Sequence, residues 1–316
     1  MSSSPPKGEA VVTAGGAACS SLEGTDHRLE NLLGRIEIRS PEDIRVDGFS
    51  LPDTEIAVPQ LEELFPGCEV LVYHLLLQIY GQLYCRRSPA SAWPLESEAS
   101  AQLIDSLKEI HQSRACTVKG SFRDDTAGWF GVFGWMTPDW VDHRPLVRLY
   151  WNLATPEGAE PLLARLTADC DRFRVPFQLK VQVDPSQFDR VDTAVLYVEK
   201  QYFQIIAELA SRAHQSLRYH LLSPTPVLTK FLRPGLALAE DPGGGLSFGL
   251  SRCRLLAEAV AAAHHSGYHS ALERFRIFQA LCHRRGLDPA RLYLNPGSVD
   301  LYHLPSPLNS VQEVAA

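Results

Sequence analysis

The chain has 316 residues, of which 45% are hydrophobic and 21% are charged, and its formal net charge is −7. This composition is typical of a globular protein and excludes a largely disordered or collagen-like chain. There is no apolar run of about 18 residues, so the sequence predicts no membrane-spanning helix. The N-terminus lacks the apolar core of a signal peptide, and the seven cysteines form no CxxC pair. We therefore expect reduced thiols and a cytoplasmic protein.

Charge is distributed unevenly along the chain. Residues 1–66 contain five basic and twelve acidic residues, which accounts for the whole net charge of −7. Residues 212–254 contain six basic and two acidic residues. Residues 67–316 as a whole have no net charge, so a short basic stretch within them indicates an anion site for a small ligand or a phosphopeptide. It does not indicate the strongly basic domain typical of duplex-binding proteins, so we expect no nucleic-acid partner.

The first part of the chain is predicted to be helical. Residues 1–25 carry few large side chains and predict a disordered tail. Residues 26–115 form the helical N-terminal region, because apolar side chains recur at helical spacing in three blocks, 27–38, 59–85 and 98–112. Its acidic residues are candidates for contact with a basic partner surface.

The remainder, residues 116–304, is predicted to mix helices and strands, and residues 305–316 to form a tail. Alternating or β-rich stretches predict strands at 146–153, 177–183 and 193–198, and a stretch rich in Gly, Phe and Trp at 117–134 predicts twisted strands or a glycine-bent turn. Helices are predicted at 156–173, 201–217, 247–264 and 268–283. The prolines between 224 and 234 predict a rigid and mostly irregular link. The fold class is therefore α+β: a helical N-terminal part packed on a mixed core with a small twisted antiparallel sheet.

Two strands carry basic residues on their polar faces. In the stretch FQLKVQV, Lys180 lies opposite the apolar face, beside two glutamines. In the stretch VRLYWNL, Arg148, Tyr150 and Asn152 share one face. Each polar face is either an exposed sheet surface or the lining of a cleft. In a cleft, arginines near Lys180 would favour its neutral amine, which can act as a base.

A glycine-rich turn precedes the helix that carries Arg252 and Arg254. Backbone N–H groups at such a turn can hold a phosphate, although the P-loop pattern is absent. The same segment reads GLSFG, a literal GxSxG. A nucleophile elbow needs a buried strand directly before it, and a loop is predicted here, so a hydrolase using Ser247 with Asp288 or Asp300 and His303 is a minor alternative.

Histidines and tryptophans give weaker signals. The histidines at 264, 265 and 269 have no acidic or cysteine neighbour in sequence, so polar residues at a helix joint are favoured over a zinc site. Four tryptophans lie between residues 129 and 151, either in the core or along an aromatic groove for an extended peptide.

Three stretches resemble a known family. They read VRLYWNL, VPFQLKVQVDPSQFDRVDTAVLYV and FLRPGLALAEDPGGGLSFGLSRCRLLAEA. They look like the HopA-type type III effector family, across roughly residues 70–290 and most clearly across 146–258. Stand-alone bacterial members of that family resemble lyases that work beside a separate kinase-like phosphotransferase. The resemblance thus implies a lyase-like core and a setting in class V lanthipeptide or thioamitide biosynthesis.

A more distant similarity is to phosphothreonine lyases and to the lyase domain of lanthipeptide synthetases. Their lysine-bearing strand matches FQLKV, which implies Lys180 as the general base, and the following Arg matches Arg190. Their upstream Lys-x-His, with histidine as general acid, is matched by the stretch from Arg148 to Tyr150. This places Tyr150 at the position of the general acid. The alternatives are that a histidine from elsewhere serves as the acid, or that the reaction needs no general acid.

The resemblance implies elimination of phosphate from phosphoserine or phosphothreonine of a precursor peptide, which yields dehydroalanine or dehydrobutyrine. In this scheme Arg148, Arg190 and Arg252 bind the phosphate, and Lys119 or Lys230 neutralises the peptide carbonyl oxygen. No metal or organic cofactor is expected. The expected partners are the phosphorylated peptide and the phosphotransferase, with no membrane. The alternative is a protein that is not an enzyme: a HopA-like protein that binds a peptide or partner and catalyses no reaction.

Overall fold

The structure is a computed structural model that describes residues 28–48, 66–84, 98–124, 128–135 and 144–305. The predicted tail 1–25 and nearly all of the predicted tail 305–316 lie outside the described residues. Within the part of the chain that is described, no helix is both long enough and apolar enough to cross a membrane.

The N-terminal part contains helices and one small hairpin. A helical segment at 28–34 is followed by strands β1 (Ile36–Ile38) and β2 (Ile44–Val46), which pair antiparallel. The prediction of a helix through residue 38 is therefore wrong at its end, because alternating isoleucines enter a strand pairing with a later segment. Helices α1 (Val70–Tyr84) and α2 (Glu98–Gln112) follow.

The core is one antiparallel sheet of seven strands in the order β3-β4-β6-β7-β5-β9-β8. This confirms the α+β class with an antiparallel sheet. The strands are β3 (Lys119–Asp124), β4 (Trp129–Gly134), β5 (Leu146–Trp151), β6 (Phe177–Gln182), β7 (Ala194–Glu199), β8 (Lys230–Arg233) and β9 (Leu236–Glu240).

The prediction of a mostly irregular link over residues 224–234 holds for 224–229 and is wrong for 230–233, because β8 lies there and forms a hairpin with β9. Gly235 turns the chain with φ +72°, and a Cβ at that position would lie 2.5 Å from the carbonyl oxygen of Leu222. Only glycine fits this turn without strain. Pro234 sits at the turn, outside both strands, so it removes no ladder hydrogen bond.

Helices cover both faces of the sheet. Helices α3 (Ala159–Phe173) and α4 (Phe203–Leu217) pack on each other, and α3 packs on β4 and β6. On the opposite face lies α5 (Phe248–His265), followed along the chain by α6 (Ala271–Arg284).

The N-terminal part is packed onto α5 and α6. Helix α1 contacts α5 closely at Gly249, where a Cβ would lie only 2.7 Å from the ring of Tyr84. Arg274 of α6 donates hydrogen bonds to the carbonyl oxygens of Leu33 and Ile36 at 2.6 and 2.8 Å. These contacts place α1 beside the sheet face that carries the predicted site.

Candidate functional site

The strand register places three of the predicted site residues on one face of the sheet. Lys180 in β6 lies opposite Val195 in β7, and Tyr150 in β5 lies opposite the same valine from the other side. Arg148 is opposite Tyr197, two residues further along β7. Residues directly opposite each other in neighbouring strands point to the same face. Lys180, Tyr150 and Arg148 therefore project from this face, which we call the lysine face.

Lys180 is surrounded by aromatic rings. Its Nζ lies 4.4 Å from the ring centroid of Trp129 and 5.8 Å from that of Tyr197. Aromatic faces attract a cation through the ring quadrupole and hold it in place. Among the described residues no carboxylate lies within ion-pair distance of Lys180. It is half-buried, so it is screened only in part from solvent.

Arg148 is buried and already has an acidic partner. Its Nε donates to Oδ2 of Asp241 at 2.6 Å, and its Nη2 donates to the carbonyl oxygen of Leu246 at 2.8 Å. Its Cζ lies 5.0 Å from the ring centroid of Tyr197, whose ring therefore contacts both Arg148 and Lys180. Burial lowers the pKa of Arg148, but Tyr197, Tyr150 and Asp241 together raise it above its ordinary value. The guanidinium is therefore a permanent cation on this face.

Tyr150 is buried between Arg148 and α5. Its ring lies 6.4 Å from that of Phe248, centroid to centroid. Burial raises the pKa of Tyr150 far above its ordinary value, and the nearby guanidinium of Arg148 opposes this only in part. The phenol is therefore protonated at neutral pH and can donate a hydrogen bond. The Tyr84 hydroxyl, also buried, has no hydrogen-bond partner among the described residues.

Arg190 reaches the same side of the sheet through α1. Its Nη2 donates to the hydroxyl of Tyr80 at 2.9 Å, and the Tyr80 ring stacks on that of Tyr84 at 4.6 Å. The pKa of Tyr80 is raised to about 12, because burial outweighs the opposing effect of the nearby Arg190 cation. The guanidinium also binds both carboxylate oxygens of Asp192 at 3.0 Å. Arg190 is thus close to the lysine face and neutralised by Asp192.

Arg252 does not join this group. It is buried, and it donates to the carbonyl oxygens of Leu292 at 2.9 Å and Leu294 at 3.2 Å and to the side chain of Asn295. Its Cζ lies 5.1 Å from the ring centroid of Phe248, the ring that also contacts Tyr150. Burial lowers the pKa of Arg252. The guanidinium of Arg252 therefore holds the segment that follows α6 in place through these hydrogen bonds.

Lys119 and Lys230 lie at opposite edges of the sheet, in β3 and β8. Six strand spacings separate these edges, roughly 29 Å. Their partners in the register, Gly134 and Leu238, belong to the face opposite Lys180. Lys119 donates to carbonyl oxygens at the end of α2, at 2.9 Å for both Gln112 and Arg114.

Lys230 is occupied as well, because Asp300 accepts from it through both oxygens, at 2.7 and 2.6 Å. Neither Lys119 nor Lys230 therefore lies within reach of a substrate bound beside Lys180.

Ser247 has a structural role in the fold. It is the N-cap of α5, and its Oγ accepts from the backbone N–H of Leu250 at 3.0 Å. In the preceding glycine turn, Asp241 accepts from the N–H of Gly243 at 2.7 Å, so the aspartate that binds Arg148 also holds this turn.

The three histidines lie near one another, with the rings of His265 and His269 each 5.9 Å from that of His264. His265 is hydrogen-bonded to Glu69 at 2.8 Å. Among the described residues no set of three potential ligands is placed to hold a metal ion.

The sequence did not identify the aromatic and acidic partners of the cations. Trp129 and Tyr197 lie on strands that could be recognised, but their contact with Lys180 depends on which strands are neighbours. The i,i+4 spacing of Tyr80 and Tyr84 was a usable signal that both face one side of α1. Asp192, two residues after Arg190, was a local signal for a neutralised arginine.

Comparison with known proteins identifies one family. The sequence profile of the HopA1 effector protein family matches residues 132–294, which include the strands that carry Arg148 and Lys180 and the β6–β7 connection that carries Arg190. No curated protein matches the chain.

Among solved structures, two effector proteins align with this chain, and the first of them shows a similar fold. An effector protein from Pseudomonas syringae pv. tomato strain DC3000 is 15% identical, with a TM-score of 0.54, and the alignment covers 88% of this chain and 98% of that one. An effector protein from Pseudomonas syringae pv. syringae strain 61 is 16% identical, with a TM-score of 0.46, and the alignment covers 77% and 95%.

Proposed function

This chain belongs to the HopA1 effector protein family, and from that premise we propose that it is a lyase acting on phosphorylated peptides. The substrate is phosphoserine or phosphothreonine in a ribosomal precursor peptide, and the product is dehydroalanine or dehydrobutyrine. A separate kinase-like phosphotransferase supplies the phosphate group, as in class V lanthipeptide or thioamitide biosynthesis. The enzyme acts in the cytoplasm.

One observation carries this proposal: Lys180 shares a sheet face with Arg148 and Tyr150. Trp129 and Tyr197 hold the amine from two sides, and no described carboxylate neutralises it. A lysine kept for structure usually has an acidic or carbonyl partner, as Lys119 and Lys230 do. An amine without such a partner, beside a permanent guanidinium, is suited to proton transfer next to a bound anion.

The reaction is a β-elimination in which the neutral amine of Lys180 takes the α-hydrogen as a proton. The electron pair of the Cα–H bond forms the Cα=Cβ double bond, and the Cβ–O bond breaks with its electrons on the phosphate oxygen. Tyr150, which keeps its proton at neutral pH, donates a hydrogen bond to the leaving phosphate oxygen. Lys180 then passes the abstracted proton through solvent to the released phosphate, which restores the neutral amine.

Phosphate binding is proposed for Arg148 and Arg190 alone. Both guanidiniums are on the Lys180 side of the sheet, and each fork geometry matches phosphate oxygens. Each is paired with a carboxylate, Asp241 or Asp192, so a phosphate dianion must share these cations with the resident acids.

The test is incubation of the purified protein with a phosphoserine peptide, followed by mass spectrometry. We expect a product that is lighter by one phosphoric acid. Lys180→Ala should abolish that product while leaving phosphopeptide binding within about threefold, because Arg148 and Arg190 remain. Lys108→Ala, at an exposed lysine of α2, is the matched control and should retain full activity. Full activity of Lys180→Ala would refute the assignment of the base.

The second candidate function is phosphopeptide or partner binding without chemistry. It is favoured by the two ion pairs, because arginines paired with Asp241 and Asp192 are often structural rather than catalytic. In the same assay this candidate predicts saturable binding of the phosphopeptide and complete recovery of its mass.

A further inference from the structure

We propose that the N-terminus of α5 binds a phosphate group and that the buried hydroxyl of Tyr84 is one of the hydrogen-bond donors. The identity of the ligand as a phosphorylated peptide rests on the proposed function, whereas the geometry of the donors does not. The site adds neutral donors to the proposed phosphate-binding cations. We call it the α5 site, and its donors are the backbone N–H groups of Phe248 and Gly249, the guanidinium of Arg148 and the hydroxyls of Tyr84 and Tyr150.

The first turn of α5 has unused backbone donors. Ser247 is the N-cap, and its Oγ and its carbonyl oxygen accept from the N–H groups of Leu250 and Ser251. The N–H groups of Phe248 and Gly249 donate to no described residue. Free N–H groups at a helix N-terminus carry a partial positive charge and can bind phosphate oxygens. Because most helices have such free groups, the adjoining side chains decide whether this end is a binding site.

Tyr84 is the side chain that distinguishes this helix end. It is 1% exposed, and its hydroxyl has no hydrogen-bond partner among the described residues. The hydroxyl oxygen lies 2.8 Å from the position that a Cβ would occupy on Gly249, so it contacts the first turn of α5. The ring is held by stacking on Tyr80, whose hydroxyl accepts from Arg190. A buried hydroxyl without a partner destabilises the fold, and a bound phosphate oxygen would supply the missing acceptor.

Arg148 and Tyr150 supply the positive charge and the second phenol of the α5 site. The Nη2 of Arg148 donates to the carbonyl oxygen of Leu246, the residue before the N-cap, at 2.8 Å. The ring of Tyr150 lies 6.4 Å from that of Phe248, the first residue of α5, centroid to centroid. Asp241 already binds the Nε of Arg148, so an incoming phosphate competes with one resident carboxylate. Phosphate binding therefore depends on the donors that this aspartate does not occupy.

The approach from solvent is the glycine turn that directly precedes the N-cap. Gly243, Gly244 and Gly245 are exposed, and no atom lies within 4 Å of a Cβ built on any of them. This leaves open space beside the turn for a phosphate carried by an extended peptide. The Tyr84 hydroxyl is closed off from solvent, so the phosphate reaches it after a local opening, which a turn without side-chain packing can supply.

The direct test measures the binding of inorganic phosphate by isothermal titration calorimetry. Tyr84→Phe keeps the ring and removes only the hydroxyl, so we expect phosphate to bind about fivefold more weakly than to the unmodified protein. The midpoint of urea denaturation should stay the same or rise, because the substitution removes a buried polar group that has no partner. A hydroxyl that only fills space would leave the phosphate affinity unchanged.

Tyr302→Phe is the matched control at another buried tyrosine. The hydroxyl of Tyr302 donates to Glu240 at 2.6 Å, and Glu240 lies opposite Val147, on the sheet face away from Arg148. We expect Tyr302→Phe to lower the midpoint of urea denaturation and to leave the phosphate affinity unchanged. These effects are the reverse of those expected at Tyr84.

The inference is overturned if the unmodified protein does not bind phosphate, or if Tyr84→Phe binds it equally well. The result is separable from that of the lyase assay with a phosphoserine peptide. In that assay Tyr84→Phe should raise the KM by about fivefold, and an unchanged KM with full dehydration would refute the α5 site alone. Tyr84-dependent binding of phosphate and of the phosphopeptide, without dehydration, would refute the lyase and leave the α5 site standing.

Discussion

The lysine face and the segment after α6 surround their cations in opposite ways. On the lysine face, Lys180 contacts the rings of Trp129 and Tyr197 and has no ion pair with a described residue. After α6, Arg252 and Lys230 are held by carbonyl and carboxylate oxygens of residues 292–300. The first arrangement leaves the amine of Lys180 without an oxygen partner among the described residues, whereas the second satisfies each cation internally.

This difference shows that the partners of a basic residue, more than its type or its position on a regular element, decide what it can do. Arg148 and Arg190 are intermediate, because each lies near Lys180 and also binds an aspartate. A cation bound by the protein's own oxygens contributes to stability and loses binding capacity. Three substitutions test this comparison. Each is expected to lower the free energy of unfolding without removing a group that takes part in dehydration.

The largest effect on stability is expected at Arg252. Arg252→Leu removes the donors that satisfy the carbonyl oxygens of Leu292 and Leu294, and these buried acceptors would be left without partners. We expect the free energy of unfolding to fall by about 3 kcal/mol, measured by urea denaturation.

Two controls complete the comparison at Arg252. Arg276→Leu, at an exposed position of α6, should change the free energy of unfolding by less than about 0.5 kcal/mol. Lys180→Ala should change it by less than about 1 kcal/mol while abolishing dehydration. Equal losses of stability for Lys180→Ala and Arg252→Leu would contradict the distinction between the two regions.

A pH-dependent effect is expected at Asp300. Burial raises its pKa, but hydrogen bonds from Lys230 and Tyr293 outweigh burial and hold the pKa of Asp300 below its ordinary value. A lowered pKa in the folded state contributes stability that is present above about pH 4, near the unfolded value, and is lost as pH falls through the folded value. Asp300→Asn should therefore cost about 2 kcal/mol at neutral pH, and the cost should shrink in acid.

Urea denaturation of Asp300→Asn and the unmodified protein between about pH 7 and 2 measures this change. If the two stability curves run parallel over that range, Asp300 is not held by Lys230 in the way the structure indicates.

The smallest effect is expected at Ser247. Because its Oγ caps α5, Ser247→Ala should cost about 1 kcal/mol of stability, and dehydration of the phosphopeptide should persist. Ser270→Ala, which removes the N-cap of α6, is a matched control with a similar expected cost. Loss of a catalytic activity in Ser247→Ala with unchanged stability would instead favour the hydrolase alternative.

The alternation of apolar and polar residues along the strands correctly predicted which face of the sheet several site residues occupy. Strict alternation in FQLKVQV assigned Lys180 to the polar face of its strand, and the same rule grouped Arg148 with Tyr150. Long amphipathic helices such as α3 and α4 were predicted to within about three residues at either end. The β8–β9 hairpin was missed because its strands are short and flanked by proline and glycine, which usually indicate loops.

Local spacing along the chain was enough to predict the α+β class, the main helices and the side of each strand on which a residue lies. Tertiary structure decided which cations share a site. It placed Lys119 and Lys230 at opposite sheet edges and turned Arg252 toward residues 292–295. Strand order and ion pairing join residues that are far apart in the chain, so no local pattern encodes them.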